Sequence, residues 1–201
     1  MRVEKYLFAL MAGLVMLFSA CQDDDSFTVS PQYTLSFSSD TIKLDTVFSR
    51  IPTATKTIWV YNRSGDGIRC SNIRLENGNQ TGFRVNVDGI FLGASTGFQT
   101  SGVEIPNKDS IRVFVELTSP NNMNETPTKL EDNLVFTLES GVQQKVNINA
   151  YTWDATILDS LHVKSDTTIS STKPIVIRGG IRVDSAATLT VTAGTTLYFA
   201  N

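Results

Sequence analysis

From Tyr33 to about Ala155 the chain alternates apolar and polar residues in short runs divided by turn-forming residues. Ile111-Arg112-Val113-Phe114-Val115-Glu116-Leu117 is apolar at every odd position, the period of a half-buried strand. Phe83-Arg84-Val85-Asn86-Val87 alternates in the same way and stops at Asp88-Gly89. Thr41 to Asp45, Thr57 to Tyr61, Ile68 to Leu75, Leu134 to Leu138 and Val142 to Ala150 complete the set. Asn62 to Gly67, Glu76 to Asn79 and Ser140-Gly141 supply the turns between them. No segment beyond the N-terminal apolar run carries a sustained helical period. Seven or eight short strands at this spacing predict an antiparallel β-sandwich over residues 33–155.

After Ala155 the texture changes. Residues 156–164 read as a linker, and Lys173-Pro174 punctuates the segment beyond it. Then Ile175/Ile177, Ile181/Val183, Leu189/Val191 and Leu197/Phe199 form apolar pairs, separated by Gly179-Gly180, Ala186-Ala187 and Ala193-Gly194. A strand that buries two side chains holds only when another coil stacks on it, so residues 165–201 read as the first coils of a parallel β-solenoid. Such an array needs about three repeats and a cap. The expectation is therefore a fragment of a longer product, with completion of the open end by a partner as the alternative.

The N-terminus reads as targeting. Arg2 and Lys5 precede an apolar run from Tyr6 to Phe18, about 13 residues and shorter than the ~20 that span a bilayer. Leu17-Phe18-Ser19-Ala20-Cys21 resembles the lipobox of bacterial lipoproteins, although Leu17 and Phe18 fit it loosely. That resemblance implies a signal peptide over 1–20 and a lipidated Cys21 at the mature N-terminus, a palmitate-type acyl anchor in the membrane. Residues 21–32 read as a spacer. Its Asp23-Asp24-Asp25 run resembles the export signal of surface lipoproteins in Bacteroidetes-type outer membranes, which implies the cell surface, with the periplasmic face as the alternative.

The body carries a second resemblance. "TIWVYNRSGDGIRCSNIRLENG", "FRVNVDG", "VEIPNKDSIRVFVELT" and "EDNLVFTLESGVQQKVNINAYTWDA" together are similar to a domain of Bacteroidetes surface lipoproteins. That domain is similar to immunoglobulin-like sandwiches of the ASPM/SPD-2/Hydin type, and in such chains a right-handed parallel β-helix comes next. "GIRVDSAATLTVTAGTTLYF" resembles the entry to that helix. The resemblance implies architecture more than activity.

Composition narrows the chemistry. The 201 residues carry a formal charge of −3, so no basic footprint marks a nucleic-acid partner. The two cysteines, Cys21 and Cys70, are too few for a disulfide framework, and Cys70 reads as a small buried hydrophobe. The single histidine, His162, has no nearby partner for a metal and reads as a surface residue. Asn86 to Gly89 reads as a structural hairpin in preference to a calcium turn. No nucleophile elbow, phosphate loop or zinc motif occurs, so no catalytic residue, cofactor or metal is nominated. Trp59 reads as a core or half-buried anchor. Phe91 and Phe98 are available for stacking, but plugs under a loop is the commoner role.

One short pattern recurs. Asp followed by Ser or Thr and then an apolar residue or Thr places hydroxyls at Thr41, Thr46, Ser110, Ser160, Thr167 and Ser185, where composition alone predicts roughly one. The triplet resembles the O-glycosylation acceptor of Bacteroidetes envelope proteins; Asp-Ser and Asp-Thr also start turns. The sequons at Asn62, Asn79 and Asn124 mean little in such a protein.

The expected function is a non-catalytic, lipid-anchored module for adhesion or for a glycan or protein ligand. Two rivals stand beside it: a β-helix polysaccharide-degrading enzyme with its site beyond Asn201, and an envelope scaffold.

Overall fold

The computed structural model describes residues 26–78, 81–123 and 126–200. Cys21, the signal peptide, Asp23 to Asp25, Asn79 and Asn124 lie outside the described residues. The described residues are all-β, and their strands build two facing sheets and a set of short parallel ladders.

The first sheet contains β1 (Leu35–Phe37), β3 (Lys56–Asn62), β5 (Phe83–Val87), β6 (Ile90–Phe91) and β9 (Ser110–Leu117), in the order β1-β3-β9-β5-β6. The second contains β2 (Thr41–Phe48), β4 (Ile68–Leu75), β7 (Gln99–Thr100), β10 (Thr128–Leu138) and β11 (Gln143–Trp153), ordered β2-β11-β10-β4-β7, with β8 (Val103–Ile105) also on β4. A single 3₁₀ turn at Ala94–Thr96 lies in the segment between β6 and β7. The pairs are antiparallel except one: β2 runs parallel to β11 along the sheet edge. The second sheet is thus mixed, where the alternation pattern predicts a purely antiparallel sandwich. β2 enters from the opposite sheet through the turn after β1, and this direction leaves it parallel to β11. Its register shifts opposite Asn149 and Tyr151, and Asp45 adopts a positive φ of 31°, so the strand continues past a local irregularity to Phe48.

Alternation decides the core. Ile111, Val113, Val115 and Leu117 of β9 are buried, as are Phe83, Val85 and Val87 of β5 and Ile58 and Val60 of β3. They meet Ile68, Cys70, Ile73, Leu134, Phe136, Val146 and Ile148 from the second sheet in one cluster. Phe136 packs its ring 5.2 Å from that of Phe37. Two buried polar groups close loops without leaving an unmet partner. Asn62 donates from Nδ2 to the carbonyls of Asp66 and Ile105 and accepts at Oδ1 from the Ser64 amide and hydroxyl. Asp132 accepts from the amides of Asn77 and Asn133 and from the Thr81 hydroxyl. Buried polar atoms demand such partners.

The C-terminal strands are β12 (Thr156–Leu158), β13 (Leu161–Val163), β14 (Thr167–Ile169), β15 (Ile175–Ile177), β16 (Ile181–Val183), β17 (Leu189–Val191) and β18 (Leu197–Phe199). None pairs with its sequence neighbour. Each pairs in parallel with a strand roughly twenty residues away, giving ladders β12-β15-β18, β13-β16 and β14-β17. Residues 156–164, expected as a linker, therefore contribute β12 and β13. Ile175, Val176 and Ile177, with a paired strand on each side, are all buried.

The ladders join the sandwich through a polar cluster around Asp154, which is 7% exposed. Its carboxylate accepts from the Ser49 hydroxyl at 2.6 Å and from the amides of Asn122 and Met123 at 3.0 and 2.9 Å, and Lys173 lies 3.8 Å away. Thr152 lies beside it, its hydroxyl 2.6 Å from that of Ser119 and 3.2 Å from that of Ser49. Burial opposes the charge on Asp154. The Ser49 and two amide hydrogen bonds outweigh that opposition and hold the carboxyl below its ordinary range, with Lys173 adding a little.

Candidate functional site

The same alternation that fills the core aims the other half of each strand outward. On β3 this set is Thr57, Trp59 and Tyr61; on β9 it is Ser110, Arg112, Phe114 and Glu116; on β5 it is Arg84 and Asn86. None of these positions is aliphatic. Cross-strand register sets Trp59 opposite Arg112, Thr57 opposite Phe114, and Asn86 between Phe114 and Phe91. The result is one face on which rings and guanidinium groups interleave.

Its geometry is specific. The rings of Trp59 and Tyr61 are nearly parallel, tilted by 15° with centroids 6.4 Å apart. Arg63 lies 4.7 Å above the Tyr61 ring, Arg112 lies 5.3 Å from Trp59 and 5.8 Å from Phe114, and Arg84 lies 5.4 Å from Phe91. Such contacts contribute about 0.5–1 kcal/mol each where exposed, and they hold the long side chains in place. Trp59 remains 39% exposed and Phe91 47%. Arg84, Asn86, Phe91, Phe114 and Glu116 surround a shallow depression of roughly 210 Å³.

Charge completes the picture. Among the described residues no carboxylate forms an ion pair with Arg63, Arg84 or Arg112, whereas Arg69, Arg178 and Arg182 all have one. Glu116 stands opposite Arg84 in register but accepts from the Thr55 hydroxyl instead. A guanidinium above a ring makes no hydrogen bond to it, so its N–H donors stay available in the fork that matches a planar anion. The outer face of the second sheet is different in kind. Glu76 there binds Lys145 and Asn133, Asn147 binds Glu131 and Asn133, and Asn149 binds Asn147. The Lys145 hydrogen bond, with help from Asn133, lowers the Glu76 pKa. That surface satisfies itself.

The expected site residues are scattered. Thr41 and Thr46 lie on β2, Ser110 opens β9, Ser160 precedes β13, Thr167 opens β14 and Ser185 follows β16. Thr46, Ser160 and Ser185 are exposed, and Thr41, Ser110 and Thr167 are partly covered. Two of the preceding aspartates are themselves hydrogen-bonded: Asp109 accepts from the adjacent Ser110 amide, and Asp166 accepts from the Thr188 amide beside the paired strand β17. Asn62 is fully buried, its amide consumed by the loop it closes. His162 is exposed, with Nε2 2.8 Å from Asp184 Oδ1. Cys70 is buried, and that burial pushes its thiol up to about 12. Asn86 to Gly89 is the hairpin between β5 and β6, with Asn86 Oδ1 accepting from the Gly89 amide. Phe98 is half-buried, whereas Phe91 is exposed. Among the described residues no group of His, Cys, Asp or Glu is arranged to hold a metal. Of the core or half-buried positions expected for Trp59, the core one is corrected: the residue is on a strand but 39% exposed. Ile58 and Val60 flank it and take the inward positions, so the pleat turns the indole out. That signal was present in the sequence, in the alternation itself.

No protein-family model matches the chain, and no curated protein matches it. Among solved structures it is similar to a protein of unknown function from Porphyromonas gingivalis W83, at 14% identity and a TM-score of 0.39, over 66% of this chain. The chain spans 59% of the length of that structure. It is also similar to the ASH / PapD-like domain 7 of human CEP192, at 8% identity and a TM-score of 0.36, covering 61% of this chain and 87% of that one. The E. coli chaperone DraB shares 9% identity at a TM-score of 0.35, over 60% of this chain and 55% of that one. At these scores none of the likenesses bears on ligand, partner or activity.

Proposed function

We propose that this protein is a lipid-anchored envelope protein of the outer membrane, displayed at the cell surface, whose sandwich is a non-catalytic binding or adhesion module. The observation that carries the binding role is the outward face of the first sheet, where aromatic rings and arginines without ion-pair partners among the described residues occupy positions that a solvated sheet fills with ordinary polar residues. The anchor rests on the lipobox-like stretch ending at Cys21, and display rests on Asp23 to Asp25. The parallel ladders beyond the sandwich act as coils of a β-solenoid, stacked on the Asp154 junction. Ser160, Ser185 and Thr46 are the exposed candidates for O-glycosylation.

Cells displaying the full chain test this reading. Palmitate should label the protein, Cys21→Ser should release it from the membrane, and protease added to intact cells should degrade it. Adhesion to a surface coated with polysaccharide and protein extract should fall when Trp59→Ala, Arg84→Gln and Arg112→Gln are combined. Unchanged adhesion at equal surface level would overturn the binding role, and a Cys21→Ser protein still in the membrane fraction would overturn the anchor.

A further inference from the structure

We propose that the ring-and-guanidinium face of the first sheet binds a polysaccharide containing uronic acids. The inference rests on the binding-module reading and names the ligand class.

Three features select this chemistry. First, the rings are shaped for sugars. The Trp59 and Tyr61 rings are nearly parallel with centroids 6.4 Å apart, a spacing of the order of one sugar residue along a chain. The C–H face of a pyranose is apolar and packs on an aromatic ring, while its hydroxyls stay in water at the edge. The depression of roughly 210 Å³ is smaller than the pockets that enclose drug-sized ligands, and it lies on an open sheet, so a chain lying across the surface fits better than an engulfed molecule. Asn86 and Glu116 on its rim offer both donors and acceptors to hydroxyls.

Second, the charge is unmet. Arg63, Arg84 and Arg112 lie over rings with no carboxylate partner among the described residues, and Glu116 alone opposes them on the three central strands. A uronate carries a planar carboxylate at the edge of its ring. With the sugar packed against the exposed part of an aromatic side chain, that edge can meet the fork of a guanidinium lying over a neighbouring ring, a bidentate match.

Third, the face is a poor seat for a folded protein. Hot spots between proteins lie in well-packed, desolvated pockets, whereas the depression here is shallow and lies on an open sheet. Burying the arginines under a protein would strip water from charges that lack a partner, which is strongly unfavourable. A hydrated polyanion neutralises them without sealing them from water.

The test uses the full chain in detergent, titrated calorimetrically with tetragalacturonate, tetramannuronate, a hyaluronan tetrasaccharide, neutral galactotetraose and poly-L-glutamate. At least one uronate should bind, shift the emission of Trp59, and weaken as salt is raised. Trp59→Ala and Arg112→Gln should each weaken it about tenfold without lowering the melting temperature by more than a few degrees. Failure of all three uronates, equal binding of galactotetraose, equal binding of poly-L-glutamate, or indifference to both substitutions would each overturn the proposal. Adhesion that still depends on the triple substitution would then leave the binding role standing with another ligand. Uronate binding without any effect on adhesion would do the reverse.

Discussion

Arg112 stands directly opposite Trp59 across the β3–β9 pair, its guanidinium 5.3 Å from the indole centroid. The same guanidinium lies 5.8 Å from Phe114, so one cation links rings on two strands. A double-mutant cycle over Trp59→Ala and Arg112→Ala, read from urea unfolding, should return a coupling of about 0.5–1 kcal/mol. Arg112→Lys should retain only part of it, because an ammonium cannot lie flat on the ring. A coupling indistinguishable from zero would mean that the two side chains do not stack in solution.

Cys70 should be inert while the sandwich is folded. Its thiol is buried between the sheets, and burial raises its pKa from 9.0 to about 12. The nucleophilic thiolate is therefore scarce at pH 8. A thiol reagent at that pH should label Cys70 only after denaturant is added. The folded value lies above the unfolded one, so the associated stability is complete below about pH 9 and is lost as pH climbs toward 12. Fast labelling of native protein would contradict the burial.

Asp154 gives the opposite pH sign. Its folded pKa is lowered, so its contribution is present above the unfolded carboxyl value and disappears as pH falls through the folded one. Asp154→Asn puts an amide where the Ser49 hydroxyl and two backbone N–H groups need acceptors. It should cost about 1.5–3 kcal/mol at neutral pH and flatten the acid limb of a stability–pH curve. An acid limb as steep as in the parent protein would assign acid sensitivity to other carboxylates.

Much of the sandwich is legible in its sequence, and the gaps have physical causes. β4 and β5 are found at their observed bounds because both lie between Gly-containing turns; β5 alternates strictly, and β4 alternates on either side of Ser71-Asn72. β10 is longer than Leu134 to Leu138, since Thr128 to Asn133 is polar and partly solvated and is held as strand by its register with β11. β1, β6, β7 and β8 are too short for any period to show, and their neighbours define them. The parallel pairing of Thr41 with Asn147 is a long-range relationship that no local pattern encodes. β12 and β13 hide within an apparent linker because each exists through a parallel partner roughly twenty residues further along the chain. The candidate face was half visible. Its residues stand in the alternation, but grouping them requires knowing that β3, β9 and β5 are neighbours.

Gly179 tests the tightness of the parallel ladders. A Cβ at this position would press on the Asp159 carbonyl oxygen and approach the Ser160 side chain at 3.4 Å. Gly179→Ala should therefore lower the melting temperature of the ladders, whereas Gly194→Ala, with open space around its site but a positive φ of 88°, should show only the cost of that backbone conformation. An unchanged melting temperature in Gly179→Ala would mean that the Asp159 carbonyl gives way to the added methyl group without cost.

Tyr198 supplies the aromatic contact between the last ladder strand and the sandwich. Its ring meets that of Phe48, at the end of β2, edge-on with centroids 4.7 Å apart and planes at 66°. A pair of this geometry contributes about 0.5–1.5 kcal/mol beyond the area it buries. β18 is otherwise held by β15, through bonds such as the Ile175 amide to the Thr196 carbonyl and the Ala200 amide to the Ile177 carbonyl. Tyr198→Ala should accelerate hydrogen exchange at the Ile175 and Ala200 amides several-fold, while amides of Phe136 and Ile148 in the sandwich core keep their protection, because local opening need not involve the whole molecule. Tyr198→Phe should restore slow exchange, since the contact uses the ring and not the hydroxyl. Uniform acceleration at all four amides would show that ladder and sandwich open as one cooperative unit, and no acceleration anywhere would show that the β15–β18 ladder holds without the ring contact.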